Sequence, residues 1–181
     1  MPLIICFVSE RHTSGKTEAA RHVANAWGVH AVMCHFTDAL NRSAWSLTDQ
    51  TLDKDEPNEL GITARQIIEA ISNAASKLHP ELPVHASKRE ILSALDSGKH
   101  VLIDDVRRPL EFRWLRSLGH PVRIIEVWRA PEHTSEDTWI TEEVWKLWGD
   151  GRAIVLNDGT HGFHKQVLAL CETFLEEIED G

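Results

Sequence analysis

The stretch LIICFVSERHTSGKTEAARHVANAWG, residues 3–28, decides the fold. Residues 3–8 are a continuous apolar run rich in β-branched side chains, as expected of a strand buried on both faces of a parallel sheet. Ala19, Ala20, Val23, Ala24 and Trp27 then recur at helical spacing. That spacing predicts a helix over residues 16–27, ended by Gly28. Between strand and helix lies SERHTSGKT, residues 9–17. A chain that turns from a strand into a helix N-terminus aims successive backbone N–H groups and the positive end of the helix dipole at one point, where they hold a phosphate. A Gly-Lys-Thr triplet alone is common in exposed turns. Its place at the junction of a strand and a helix makes it informative.

Read as a P-loop, this segment binds a nucleoside triphosphate. Lys16 bridges the β- and γ-phosphates, Thr17 ligates Mg²⁺ through its hydroxyl, and Ser14, Gly15 and Glu18 complete the cofactor-binding set. ATP and Mg²⁺ are the cofactors this implies. Lys16 is expected to face solvent in the empty loop. One position departs from the motif. Glycine is usual five residues before Gly15, where the backbone approaches the phosphates, and Glu10 stands there.

Outward from this unit, strand and helix patterns alternate. A short strand is expected near residues 30–35 and a helix over 38–45. The polar, acidic stretch 49–61, interrupted by Pro57, reads as an exposed loop. Thr63 and Gln66 form a capping box for a helix with Ile67, Ile68, Ile71 and Ala75 on one face. Ser87 and Glu90 repeat the signature before Ile91, Leu92 and Leu95, with Gly98 closing that helix. HVLID at 100–104 is the next strand. Pro109 opens a helix and Gly119 stops it. Strands follow at 122–127 and 153–156, separated by an irregular segment, 129–151, rich in Trp and acids. A closing helix carries Val167, Leu170, Cys171, Phe174 and Ile178 in one stripe. Alternating strands and helices predict right-handed βαβ units, hence a three-layer α/β/α fold around a central parallel sheet. We read one domain over residues 1–181, with an insertion at about 36–97 and a short lid at about 129–151.

Composition limits the function classes. Of 181 residues, 42% are hydrophobic and 26% charged, the balance of a soluble globular protein. No apolar run approaches the roughly 20 residues of a membrane span, and the first residues lack the basic region of a signal peptide. A cytoplasmic location is expected, in the host cytoplasm if the chain is phage-encoded. Cys6, Cys34 and Cys171 are isolated among apolar neighbours and read as reduced, structural thiols. The 11 histidines show neither of the usual zinc spacings, and no CxxC is present. The net charge is -9, with basic residues scattered rather than gathered in a stripe. This disfavours DNA or RNA as a partner, since phosphate contacts dominate such binding. A small phosphorylated ligand needs only a few cations.

A second cluster stands at the end of the strand 100–104: Asp104-Asp105-Val106-Arg107-Arg108, followed by Glu111. Open α/β sheets bind ligands outside the carboxyl ends of their strands. Two carboxylates and two guanidiniums there could hold metal-bound waters and a substrate phosphate, with Asp104 as the second metal ligand beside Thr17. The plain alternative is a salt-bridged strand end.

At these residues the chain resembles the deoxynucleoside monophosphate kinases of tailed phages, a branch of the P-loop nucleotide kinases. IDDVRRPLE (103–111) is similar to the family's strand-borne D-x-R-x-x-x-E segment, which leads into its helix and an LRSLG turn. EDTWITEE (136–143) resembles the D-T-x-I-T-E stretch of its lid, and VLNDGT (155–160) its last strand and N-D-G turn. The resemblance covers most of the chain, in family order. It implies transfer of the ATP γ-phosphate to a (deoxy)nucleoside monophosphate with Mg²⁺. It further implies catalytic roles for Lys16, Asp105, Arg107 and Arg129, and acceptor binding by Asp38, Arg65, Asp105, Arg107 and Arg108. Arg129, at the base of the lid, reaches the transferring phosphate when the lid closes; stacking on a nearby Trp is its structural alternative.

The departures from the family pattern gather on the acceptor side. Thr37 stands where lysine is usual, Ser72-Asn73-Ala74 where Gly-Thr-acid is usual, and Pro83 where an aromatic is usual. They leave two further readings open. One is a P-loop kinase of a modified pyrimidine, 5-hydroxymethyluracil, in phage DNA. The other, motivated by Glu10, is a nucleotide-binding protein that has lost turnover. The partners expected are therefore a nucleoside triphosphate and a nucleotide acceptor, with DNA allowed but not favoured by charge, no membrane, and a homodimer allowed.

Overall fold

In the computed structural model of the chain, which describes residues 1–10, 14–47, 56–129, 146–147 and 152–179, the apolar run at the N-terminus is the middle strand of a sheet. This strand, β1 (Ile4–Val8), is buried along its whole length. It is followed by α1 (Lys16–Trp27), a 3₁₀ turn at Gly28–His30, β2 (Ala31–Met33), α2 (Asp38–Leu47), α3 (Ala64–Leu78), α4 (Leu82–Asp96) and β3 (His100–Ile103). The chain continues with α5 (Pro109–Ser117), β4 (Val122–Trp128), β5 (Ala153–Leu156) and a last helix, α6 (His161–Glu179).

The five strands form one parallel sheet in the order β2-β3-β1-β4-β5. The chain therefore crosses from β1 outward to β2, back to β3 beside β1, then over β1 to β4 and β5. Helices flank the sheet, giving the three-layer α/β/α architecture. Alternation along β1 feeds both layers. Leu3, Ile5 and Phe7 join Ala19, Ala20 and Val23 of α1 and Phe163, Val167, Cys171 and Phe174 of α6 in one buried cluster. The even-numbered Ile4, Cys6 and Val8 point to the opposite face, and they too are fully buried. Burial pushes the Cys6 and Cys171 thiols up, Cys171 to about 12, so both stay protonated. All three cysteines are buried, and none is in a disulfide.

The chain divides into two compact units, residues 1–35 with 91–181, and residues 36–90. The first contains the whole sheet with α1, α5 and α6. The second holds α2, α3 and most of α4. Within it, α2 packs on α3, and the buried Ser87 hydroxyl donates to the carbonyl of Phe36 at 2.9 Å. The capping box of α3 forms as expected: Gln66 N donates to Thr63 Oγ1 at 3.2 Å and Thr63 N to Gln66 Oε1 at 2.9 Å.

One expectation fails here. Ser87 does not cap a helix, because α4 begins five residues earlier at Leu82 and runs straight through it. Its hydroxyl is taken by Phe36, a partner 51 residues away. Pro83 falls in the first turn of α4, where a missing N–H leaves no helical bond unmade. Among the described residues no helix is long and apolar enough to cross a membrane.

Candidate active site

The sheet order gathers the chemistry. All strands run the same way, so their carboxyl ends lie along one edge, and each of the five contributes. β1 leads into Ser9 and the phosphate loop. Its neighbour β3 is registered with Cys6 opposite Ile103, so Asp104 and Asp105 emerge beside the start of that loop. On its other side β4 delivers Arg129. Next to β4, with Trp128 opposite Leu156, β5 delivers Asn157. β2, beside β3, delivers His35.

The loop backbone is shaped for a ligand. Gly15 precedes α1 with φ 98 and ψ 15, a left-handed conformation that side chains rarely adopt. A Cβ at this position would fall well inside contact with the side-chain amide of Asn157. The first helical bond of α1 is Ala19 N to Gly15 O at 2.9 Å, so the N–H groups of Lys16, Thr17 and Glu18 precede the helical ladder. Ser14 is buried, and its hydroxyl has no hydrogen-bond partner among the described residues. A buried donor left so, beside a helix N-terminus, fits a loop that completes its bonding with an anion. Residues 11–13 lie outside the described residues. Glu10 is half-buried just past the end of β1.

Lys16 departs from expectation. It is half-buried rather than fully exposed, and its ammonium donates to the buried Ser9 hydroxyl at 2.6 Å. Burial, reinforced by the positive charge of Arg107, lowers its pKa to about 8 despite the opposing carboxylate of Asp104. The Glu18 carboxylate pairs with His164 of α6, at 2.8 Å. What Glu18 offers a phosphate is its backbone N–H.

Asp104, the second metal ligand named from the sequence, is buried within reach of the first. Burial alone would raise its pKa, but the hydrogen bond and charge of His35, a hydrogen bond with Thr17 and the charge of Lys16 hold it below the ordinary carboxylate range. The His35 Nδ1 to Asp104 Oδ1 distance is 2.6 Å, so His35 donates to an ionised carboxylate. His35, Asp104 and Asp105 each place a ligand atom within 4.8 Å of the others. Carboxylates beside a threonine hydroxyl are the hard oxygen donors that Mg²⁺ prefers, so these residues fit the ion that the loop implies.

Arg107 is exposed, yet close enough for its charge to depress Lys16. The loop that carries it is pinned by Glu111 of α5, whose carboxylate accepts from Arg107 N at 2.7 Å and from Arg108 N at 2.9 Å. Glu111 is buried, and its pKa is raised to about 7 by burial, against the two backbone bonds. The consequence is testable. A carboxyl with a raised folded-state pKa binds more protons folded than unfolded, so its contribution to stability is full below pH 4.5 and is lost as pH rises to about 7. Glu111→Gln keeps an acceptor for both N–H groups and removes the titration. Melting temperatures from pH 4.5 to 7.5 should fall more steeply in the wild type than in the variant; parallel curves would show that Glu111 titrates normally.

Of the sequence-named residues, the first unit thus brings together Ser14, Gly15, Lys16, Thr17, Asp104, Asp105, Arg107 and Arg108. Arg129 directly follows β4, whose last carbonyl, Trp128, accepts from Asn157 N at 2.7 Å. Asp38 opens α2 and Arg65 lies in the first turn of α3, both in the second unit. Apart from residues 129, 146 and 147, the lid and its EDTWITEE stretch lie outside the described residues. Sequence reasoning passed over Ser9, His35, Glu111 and Asn157 as site residues. Glu111 and Asn157 had a signal, since both stand in motifs that carry the family resemblance. Ser9 and His35 had none beyond standing one or two residues past a strand.

No family model and no curated protein matches the chain. Among solved structures it is similar to a protein of Chloroflexus aurantiacus provisionally classed as a kinase, at 13% identity and a TM-score of 0.56, over 99% of this chain and 97% of that one. It is likewise similar to a protein of Thermus thermophilus, at 17% identity and a TM-score of 0.52, over 97% of both chains. At such identities the likeness is one of fold. With a phosphate loop on the middle strand of a five-stranded parallel sheet, the chain has a P-loop kinase-like α/β fold.

Proposed function

We propose that the chain is an ATP- and Mg²⁺-dependent kinase that transfers the γ-phosphate to a (deoxy)nucleoside monophosphate. The observation that carries this reading is the meeting of two cations from different strand ends, Lys16 of the phosphate loop and Arg107 beyond β3, near enough that the Arg107 charge lowers the pKa of Lys16. Like charges brought together at a strand edge favour a site for negative charge between them. A phosphoryl group passing between two phosphates supplies it.

In this reading the backbone of residues 15–18 and Lys16 hold the triphosphate, with Ser14 completing the loop. Thr17 and Asp104 would hold Mg²⁺, which neutralises charge on the triphosphate when bound. Arg107 and Arg108 hold the acceptor phosphate, a guanidinium gripping two oxygens at once. Asp105 orients it, and Arg129 adds charge on the transferring side. The resemblance also assigns acceptor binding to Asp38 and Arg65, which stand in the second unit. Catalysis is then positioning and charge stabilisation, with no covalent protein intermediate.

A hydroxyl acceptor, as on 5-hydroxymethyluracil in DNA, is the second reading. It needs a group to take the hydroxyl proton, and the His35–Asp104 pair offers one. The test is labelled ATP offered with Mg²⁺ to a panel of deoxynucleoside and nucleoside monophosphates, and separately to hydroxymethyluracil-containing DNA. Labelled diphosphate supports the first reading and labelled DNA the second. ATP binding with no transfer to any acceptor would overturn both in favour of a nucleotide-binding protein.

A further inference from the structure

We infer that Asn157, at the end of β5, is a positioning residue that holds the phosphate loop in its ligand-ready shape. The inference rests on the phosphate-loop reading of residues 9–17. Asn157 is buried, and its side-chain amide donates to the carbonyl of Ser14 at 2.8 Å, across 143 residues of sequence. The same side chain accepts from Gly159 N at 3.0 Å, which fixes its orientation and keeps the NH₂ group aimed at the loop. Its own N–H is tied to Trp128 O at 2.7 Å. The residue is therefore held by three bonds, two through its side chain and one through its backbone.

What it holds is the peptide on which the loop depends. With Ser14 O drawn toward Asn157, the planar trans Ser14–Gly15 peptide directs its N–H the opposite way, away from Asn157. The conformation of Gly15, φ 98, follows from that orientation, and the contact leaves no space for a Cβ there. Glycine visits both signs of φ about equally, so a neighbouring group is needed to select this conformation rather than to hold it against strain. Among the described residues, the Asn157 amide is the nearest side-chain group to it, with the Glu18 carboxylate next. The buried hydroxyl of Ser14, unpartnered among the described residues, belongs to the same residue, so the clamp and the ligand-seeking group act on one residue.

Two substitutions separate the clamp from its neighbours. Asn157→Ala removes both side-chain bonds. Asn157→Asp keeps the acceptor for Gly159 N but replaces the donor with a carboxylate oxygen facing the Ser14 carbonyl. A buried hydrogen bond lost in this way should weaken Mg·ATP binding by about tenfold or more. Calorimetric titration of Mg·ATP, run with melting temperatures, is the measurement, and Lys16→Ala serves as the control for the loop itself. The inference predicts that both Asn157 variants lose ATP affinity while KM for the acceptor stays within about twofold of wild type. Weakening by Ala but not by Asp would place the effect in the Gly159 turn and overturn the clamp. A fall in melting temperature with unchanged ATP affinity in both would make Asn157 structural only, which also overturns it. If Lys16→Ala binds Mg·ATP as wild type does, the phosphate-loop reading fails first, and the clamp with it.

Discussion

Lys16→Ala should abolish phosphoryl transfer, lowering kcat/KM by about a thousandfold or more, in a protein that remains folded. The size follows from what a fixed cation does where charge shifts in the transition state. Removing one preorganised charge or donor costs about a hundred- to a thousandfold in rate, and an ammonium on the transferring group stands at the upper end. The structure changes the expectation for stability. Lys16 is not a loose side chain but a half-buried one, and its pKa has fallen to about 8 because part of its water has been taken away. Its removal gives up the bond to Ser9 and relieves that desolvation together with repulsion from Arg107. The two effects oppose each other, so the melting temperature should move by only a few degrees, as about 1 kcal/mol does in a chain of this size. Circular dichroism beside steady-state kinetics checks both halves. Turnover near the wild-type rate would rule out the phosphate-loop assignment.

Arg107→Lys should raise the acceptor KM or lower kcat by about ten- to a hundredfold, while ATP binding in the absence of acceptor barely changes. Lysine keeps the positive charge that Lys16 feels, so the triphosphate side sees the same field. It cannot reproduce two parallel hydrogen bonds to one phosphate, which is what the acceptor side requires. The backbone of Arg107 is already fixed by Glu111, so the substitution acts at the tip of a side chain on a held loop. Asp105→Asn should weaken the same side. Asp105 is only 7% exposed, however, and some loss of stability is expected with it. If the cluster only ties the strand end to α5, both variants would melt earlier and the kinetics of the folded fraction would be unchanged. An Arg107→Lys enzyme indistinguishable from wild type with every acceptor would remove the acceptor phosphate from this position.

Much of the scaffold was legible because local pattern and final structure agree. The run at residues 3–8 is apolar without alternation, and β1 is buried on both faces. Pro109 opens α5, and the Thr63–Gln66 box caps α3, as their local chemistry dictates. The phosphate loop could be read for the same reason, since its signal lies within one strand-to-helix connection. Ser87 shows where local reading stops. Its Ser-x-x-Glu signature promised a cap, but a buried serine hydroxyl bonds whichever acceptor the fold brings to it, and in this fold that is Phe36.

The sequence by itself determined that strands and helices alternate, and that a Gly-Lys-Thr turn stands between the first strand and the first helix. It also placed acids and arginines at the end of another strand. Only the tertiary structure decided that this strand lies next to β1, because the order β2-β3-β1-β4-β5 depends on which crossovers pack, and no residue pattern records that. From this order come the His35–Asp104 bond across 69 residues and the Asn157–Ser14 bond across 143. The lowered pKa of Lys16 has the same origin, since burial and a neighbouring charge exist only once distant strand ends share an edge.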